Sequence, residues 1–122
     1  MTRPETGALQ HSDASPSRDL FVALVLSLYV ELPETPPRAN ERDREQAQRL
    51  FARGAPPETV EAALLLASLR RLIRPPGSPP LGAIRSLAYF QPAVEELLGQ
   101  PVRPGYLEYL RRTLANVGKE RP

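Results

Sequence analysis

Apolar positions recur at helical spacing in several separate segments of this chain. In residues 16–32 they lie three and four positions apart and also fill most of the remaining helix surface. Ser15 or Ser17 can cap this helix, and Pro33 ends it at Leu32 because the residue before a proline avoids helical geometry. A buried strand is the alternative for so short an apolar run, but the sequence offers no second strand for it to pair with.

The second and third predicted helices differ in how apolar they are. One runs from an Asn40 cap to Gly54 and is polar outside a narrow apolar stripe, which predicts a surface position. Its acids and arginines indicate an exposed face of ion pairs. They are Glu41, Arg42, Asp43, Arg44, Glu45 and Arg49. The other runs from Glu58 to about Ile73 and is apolar on most sides, so we expect it at the centre of the fold.

Two more helices are predicted beyond a stiff proline-rich connector. Residues 75–80 favour extended geometry and fit a spacer between helices or, alternatively, a proline-rich ligand for an aromatic groove. Residues 84–98 predict a helix that Ser86 can cap and that Pro92 kinks or divides. The last helix begins after Pro104-Gly105.

These segments together predict an all-α fold, a compact bundle of four to five helices joined by short Pro-rich loops. We expect a disordered arm over residues 1–15, a single helical domain over residues 16–117 and a frayed tail over residues 118–122. The longest apolar stretch is too short to span a bilayer, and the start of the chain lacks a signal-like apolar region. A cytoplasmic protein without membrane association is therefore expected.

The composition argues against catalysis. The 122 residues include no Cys and one His, which excludes thiolate metal sites and cysteine nucleophiles and disfavours a multi-histidine site. No phosphate-binding glycine loop or nucleophile elbow is present. The sequence thus predicts a non-enzymatic protein without cofactor or bound metal, unless the acids near Glu41 and Glu95 converge on a metal ion.

Positive charge is concentrated in the second half, although the net charge of the whole chain is only +2. Residues 70–112 contain seven arginines but only three glutamates, and several tyrosines lie among them. Arginine suits phosphate contacts and tyrosine suits base stacking. The predicted nucleic-acid-binding residues are Arg70, Arg71, Arg74, Arg85, Tyr89, Arg111 and Arg112. The alternative is that these arginines complement helix dipoles while the aromatic rings fill the core.

Two other interaction modes can be weighed from the sequence. The helix pair around Gly54 has the spacing of a helix-turn-helix, but the acidic start and apolar body of its second helix favour a plain helical hairpin. The all-round apolar first helix predicts a protein interface, in a homo-oligomer or a larger assembly, without direct nucleic-acid contact. The predicted interface residues are Phe21, Val22, Val25, Leu26, Tyr29 and Val30.

Part of the sequence also resembles known helical families. The segment from Ile84 to Phe90, followed by Pro92, resembles short uncharacterised bacterial helical proteins associated with replication and mobile-element genes; residues 32–36, 43–44, 60–67 and 94–97 add to the likeness. More distantly, Ile84, Ser86 and Tyr89 are similar to a turn in the DnaD-like domain of replication initiators. That resemblance implies an accessory or adaptor that contacts DNA largely without base specificity.

Overall fold

The computed structural model describes residues 16–120, and side chains within residues 17–118. In this part of the chain the regular structure is entirely helical, which confirms the all-α class. The helices are α1 (Pro16–Val30), α2 (Glu41–Ala52), α3 (Pro57–Leu72), a 3-10 helix (Leu87–Phe90), α4 (Gln91–Leu98) and α5 (Tyr106–Glu120). None of these helices is long and apolar enough to cross a membrane.

Local sequence explains both ends of α2. The Asn40 side chain accepts a hydrogen bond from the Asp43 N–H at 2.9 Å, and the Asp43 carboxylate accepts one from the Asn40 N–H at 3.0 Å. At the other end Gly54 has a φ of 78°, and the next N–H, of Ala55, reaches back to the Leu50 carbonyl. The predicted cap and the predicted stop are both where the sequence placed them.

Helix α3 lies at the centre of the fold, as its apolar composition predicts. It packs against α1, α4, α5 and the 3-10 helix. Val60, Ala63 and Leu64 are each no more than 1% exposed. The core around α3 also takes in Tyr29 from α1 and Phe90 from the 3-10 helix, whose rings meet edge to face.

Several boundaries differ from the sequence prediction. The helix predicted from Ile84 starts only at Leu87, because Ser86 is extended, with φ −155° and ψ 160°. The Ile84 N–H bonds the Glu34 carbonyl at 3.0 Å, which ties this segment to the loop after α1. Of the two alternatives for Pro92, the structure shows the division: Pro92 lies in the first turn of α4 and does not kink a continuous helix. Ser86 precedes the 3-10 helix without a side-chain capping bond.

The joints and the end of the chain also correct the prediction. Residues 73–86 lack regular secondary structure, so the joint between α3 and the 3-10 helix is longer than the short loops expected. Helix α1 ends at Val30, two residues before the predicted end, in a tight turn closed by the Leu32 N–H on the Tyr29 carbonyl. Helix α5 continues to Glu120, past the predicted end at Val117. The predicted arm, residues 1–15, lies outside the described residues.

Candidate nucleic-acid interface

Arg71 is enclosed in the fold, with only 4% of its side chain exposed. Its Nε donates to Glu34 Oε1 at 2.7 Å, and its two terminal nitrogens donate to the Gly82 carbonyl and to the Tyr89 hydroxyl. Burial acts to lower the pKa of this guanidinium, but the hydrogen bonds that Arg71 donates to Tyr89 and Glu34 outweigh burial and raise it. Arg71 therefore joins α3 to two loops and is not free to bind a phosphate, which corrects the sequence prediction for this residue.

A groove of about 410 Å³ opens above Arg71, between the end of α3 and the 3-10 helix. Its lining residues are Ala67, Arg70, Arg71, Arg74, Leu81, Tyr89, Pro92 and Ala93. Tyr89 is 42% exposed although the Arg71 guanidinium lies 5.5 Å from its ring centroid. Arg74, half-buried, forms no side-chain hydrogen bond or ion pair within residues 17–118. The groove is thus lined both by a guanidinium that has no acidic partner among the described residues and by a part-exposed aromatic ring, one face of which Arg71 covers.

The two adjacent glutamates of α4 neutralise one arginine on α3 and one that directly follows α2. Glu96 forms a two-pronged ion pair with Arg70 of α3, at 2.8 Å in each prong. Glu95 does the same with Arg53, next to α2, at 2.5 and 3.0 Å. Hydrogen bonds from Arg53, and then from Gln91, lower the pKa of Glu95 to about 2. Adjacent helical positions point about 100° apart, so these acids do not form a facing pair.

The remaining predicted phosphate-binding residues lie away from the groove. Arg111 forms a two-pronged ion pair with Glu61, at 2.9 Å in each prong, nine residues before Arg70 on α3, which is about 13 Å along the helix axis. Arg112, the next residue of α5, is exposed. Arg85 is exposed in the connector just before the 3-10 helix. The seven predicted residues therefore do not make one continuous face; the structure gathers only Arg70, Arg71, Arg74 and Tyr89.

Helix α2 carries a basic stripe that the sequence interpretation missed. Arg42, Gln46, Arg49 and Arg53 recur at positions i, i+4, i+7 and i+11, which is one helical face. Arg42 and Arg49 are both exposed, and neither has an ion pair in the part of the chain that the structure describes. The spacing was visible in the sequence. The interleaved acids, however, indicated an exposed face of ion pairs.

Asp43 shows why that interpretation was wrong. It is 1% exposed, and its carboxylate accepts hydrogen bonds from the Asn40 N–H and from the Leu87 N–H at 2.9 Å. It therefore joins the start of α2 to the 3-10 helix instead of neutralising a surface arginine. The spacing of Asn40 and Asp43 in a capping box is visible in the sequence. The bond to Leu87 is not, because the charge pattern is the same whether an acid is exposed or buried.

The predicted interface on α1 also needs correction. Five of its six residues, Phe21, Val22, Val25, Leu26 and Tyr29, are at most 8% exposed because they pack into the core of the chain itself. Val30 is half-buried against the same core. The face of α1 that remains open carries Leu20, 72% exposed, and Leu24, 43% exposed. These two leucines line an apolar groove of about 730 Å³ with Phe51 and the turn at residues 54–57.

No group of three or more potential metal ligands converges among the described residues. Glu41 interacts weakly with Arg44, at 3.9 Å, and Glu95 pairs with Arg53, so these acids contribute to charge pairing instead of a common site. In comparisons with models of known families, with curated proteins and with solved structures, this chain matches none of them at a significant level.

Proposed function

We propose that this chain is a non-enzymatic accessory or adaptor protein in a nucleic-acid transaction, in which a compact helical bundle contacts the phosphate backbone largely without sequence preference. The observation that carries the proposal is the groove in which Arg74, without an acidic partner among the described residues, lies beside the exposed ring of Tyr89. The resemblance to replication and mobile-element proteins favours those settings for the transaction.

The chemistry of the groove suits a phosphate diester better than a small metabolite. A guanidinium binds a phosphate through two parallel N–H donors, and the accessible face of a tyrosine ring can stack on a base. Arg70 contributes less positive charge because Glu96 neutralises it in a half-exposed ion pair. The proposed contact is therefore small, and its affinity should depend on salt with a shallow slope.

Fluorescence anisotropy with a labelled oligonucleotide tests the proposal. Arg74→Ala should weaken binding about fivefold or more and should make the dependence of affinity on salt less steep, since one phosphate contact is lost. The matched control is Arg103→Ala, because Arg103 is exposed, lies outside the groove and has no ion pair in residues 17–118. Wild-type affinity that does not change with salt would overturn the proposal, as would equal binding by both variants.

A second candidate function is self-assembly, and the exposed face of α1 favours it. Ser17, Leu20, Leu24 and Ser27 are all exposed and are spaced by three, four and three residues. Because this spacing reads the same in both directions, an antiparallel contact between two copies of α1 places Leu20 opposite Leu24 and Ser17 opposite Ser27. An interface related by a two-fold axis requires this self-complementarity.

Sedimentation velocity over a range of concentrations tests the second candidate. The wild-type chain should show a concentration-dependent dimer that Leu20→Glu abolishes, since a charge would be buried against leucine. Ile73→Glu is the matched control, because Ile73 is a similarly exposed aliphatic residue outside this face. A strict monomer at high concentration would exclude self-assembly through α1.

A further inference from the structure

We infer that the phosphate-binding surface continues across the 3-10 helix onto α2, so that Arg74, Tyr89, Arg49 and Arg42 form one track for a single-stranded nucleic acid. This inference rests on the proposed function and names its ligand class. It adds two arginines of the α2 stripe to the groove described above.

The 3-10 helix has an opening on each side. Tyr89 lines the groove next to α3, and Ala88 lines a second cleft, of about 400 Å³, together with Gln46, Arg49 and Gln91. Neighbouring residues of a 3-10 helix point about 120° apart, and four residues rise only about 8 Å. The groove and the cleft therefore lie on either side of one short segment. A few nucleotides can bridge the gap between them.

Positive charge on the α2 side is available to a ligand. Arg42 and Arg49 lie seven residues apart on one face, about 10 Å along the helix axis, and both are exposed. Between them Gln46 bonds the Gln91 side chain at 2.8 Å, a neutral contact that leaves both guanidinium groups unengaged. Arg85 is also exposed and lies near the start of α2. Its position follows from Leu87, two residues further along the chain, whose N–H bonds Asp43 in the first turn of α2.

The nearby acids that could repel a phosphate are mostly engaged. Glu95 forms an ion pair with Arg53, and Glu96 forms one with Arg70. Asp43 is buried and accepts hydrogen bonds from two backbone N–H groups. Glu45 is exposed beside the stripe and has no ion pair in the described part of the chain. It is therefore the carboxylate whose removal should strengthen binding.

The exposed ring of Tyr89 selects a single strand over a duplex. Arg71 lies over one face of the ring, so an unpaired base would stack on the other face. The bases of a duplex already stack on one another. The ring is recessed in a groove between α3 and the 3-10 helix, where a flexible strand can follow the surface.

Anisotropy titrations with labelled deoxythymidine oligomers of four and twelve nucleotides, and with a twelve-base-pair duplex, test the track. We expect the twelve-nucleotide strand to bind at least tenfold more tightly than either other probe. Three arginines of the track contact phosphates. A plot of the logarithm of the affinity for the twelve-nucleotide strand against the logarithm of the salt concentration should therefore have a slope of about −2.

Substitutions at the two ends of the track should act alike on the longer strand. Arg49→Ala should weaken its binding about threefold or more and Arg74→Ala about fivefold or more, and each should reduce the salt slope by about 0.7. Tyr89→Leu should weaken binding about tenfold without changing the salt slope, because stacking releases no counterion. Glu45→Gln should tighten binding, and Arg103→Ala, at an exposed arginine between α4 and α5, should leave it unchanged. Thermal melting of each variant confirms that it is folded.

The outcomes separate the track from the proposed function. Loss of affinity in Arg74→Ala with none in Arg49→Ala overturns the track and leaves binding at the groove in place. Loss in neither variant overturns both proposals. A duplex that binds as tightly as the twelve-nucleotide strand overturns the assignment to single strands, even if both arginines contribute.

Discussion

Removal of the Asp43 carboxylate should destabilise the fold far more than removal of an exposed acid from the same helix. The carboxylate accepts one hydrogen bond from the Asn40 N–H and one from the Leu87 N–H. In Asp43→Ala, water can replace the carboxylate at Asn40, which is exposed. Leu87 is 1% exposed, so its N–H would be left in the core without an acceptor.

The magnitude follows from these two losses. Loss of half of the capping box costs about 1 kcal/mol, and a buried N–H without an acceptor costs about 1–3 kcal/mol. The expected loss in the free energy of unfolding is therefore about 2–4 kcal/mol, a large fraction of the roughly 5–15 kcal/mol typical of a domain. Asp43→Asn keeps one oxygen for the Leu87 N–H and should lose about 1–2 kcal/mol.

Urea unfolding followed by circular dichroism measures these losses. Glu45→Ala is the control, because Glu45 is exposed two residues further along α2, and it should change stability by no more than about 0.5 kcal/mol. Amide hydrogen exchange gives a local readout, since the Leu87 amide should lose protection in Asp43→Ala. If Asp43→Ala is as stable as the control, or if Leu87 remains protected, the assigned role of Asp43 is wrong.

Three other substitutions test particular features of the fold. Tyr29→Phe should be neutral or stabilise by up to about 1 kcal/mol in urea unfolding, because the buried hydroxyl has no hydrogen-bond partner among the described residues. Burial, with the nearby charge of Asp43, raises the pKa of Tyr29 to about 12. A loss of stability above about 1 kcal/mol would show that the hydroxyl does have a partner. Gly54→Ala should lower stability by about 1 kcal/mol because of its left-handed backbone, whereas Gly82→Ala, with an ordinary φ and open space around its Cα, should not. Glu95 has a lowered pKa of about 2, so its ion pair stabilises the folded state above the ordinary value of 4.5 and that contribution is lost as the pH falls toward 2. Glu95→Gln should therefore flatten the dependence of Tm on pH across this window, and an unchanged slope would contradict the assignment.

Local sequence accounts for which segments are helical and for most of where they begin and end. Asn40 caps α2 and Gly54 closes it through contacts within a few residues, so the chemistry of these positions is sufficient. The boundary at Ile84 failed because Ser86 is extended and the segment is tied to distant parts of the chain: the Ile84 N–H bonds the Glu34 carbonyl, and the Leu87 N–H bonds the Asp43 carboxylate. A periodic pattern describes neighbours within one or two turns and contains no information about such a distant partner.

Contacts between residues far apart in the chain also separate what the sequence determined about the binding surface from what the tertiary structure decided. The sequence located the arginines and identified Tyr89 as a ring suited to stacking. The fold decided which guanidinium groups are free, because their partners lie far along the chain: Glu34 for Arg71, Glu96 for Arg70. Ion pairs form between side chains that meet in space, so only the packing of the helices could show that Arg71 is a structural residue and Arg74 is available to a ligand.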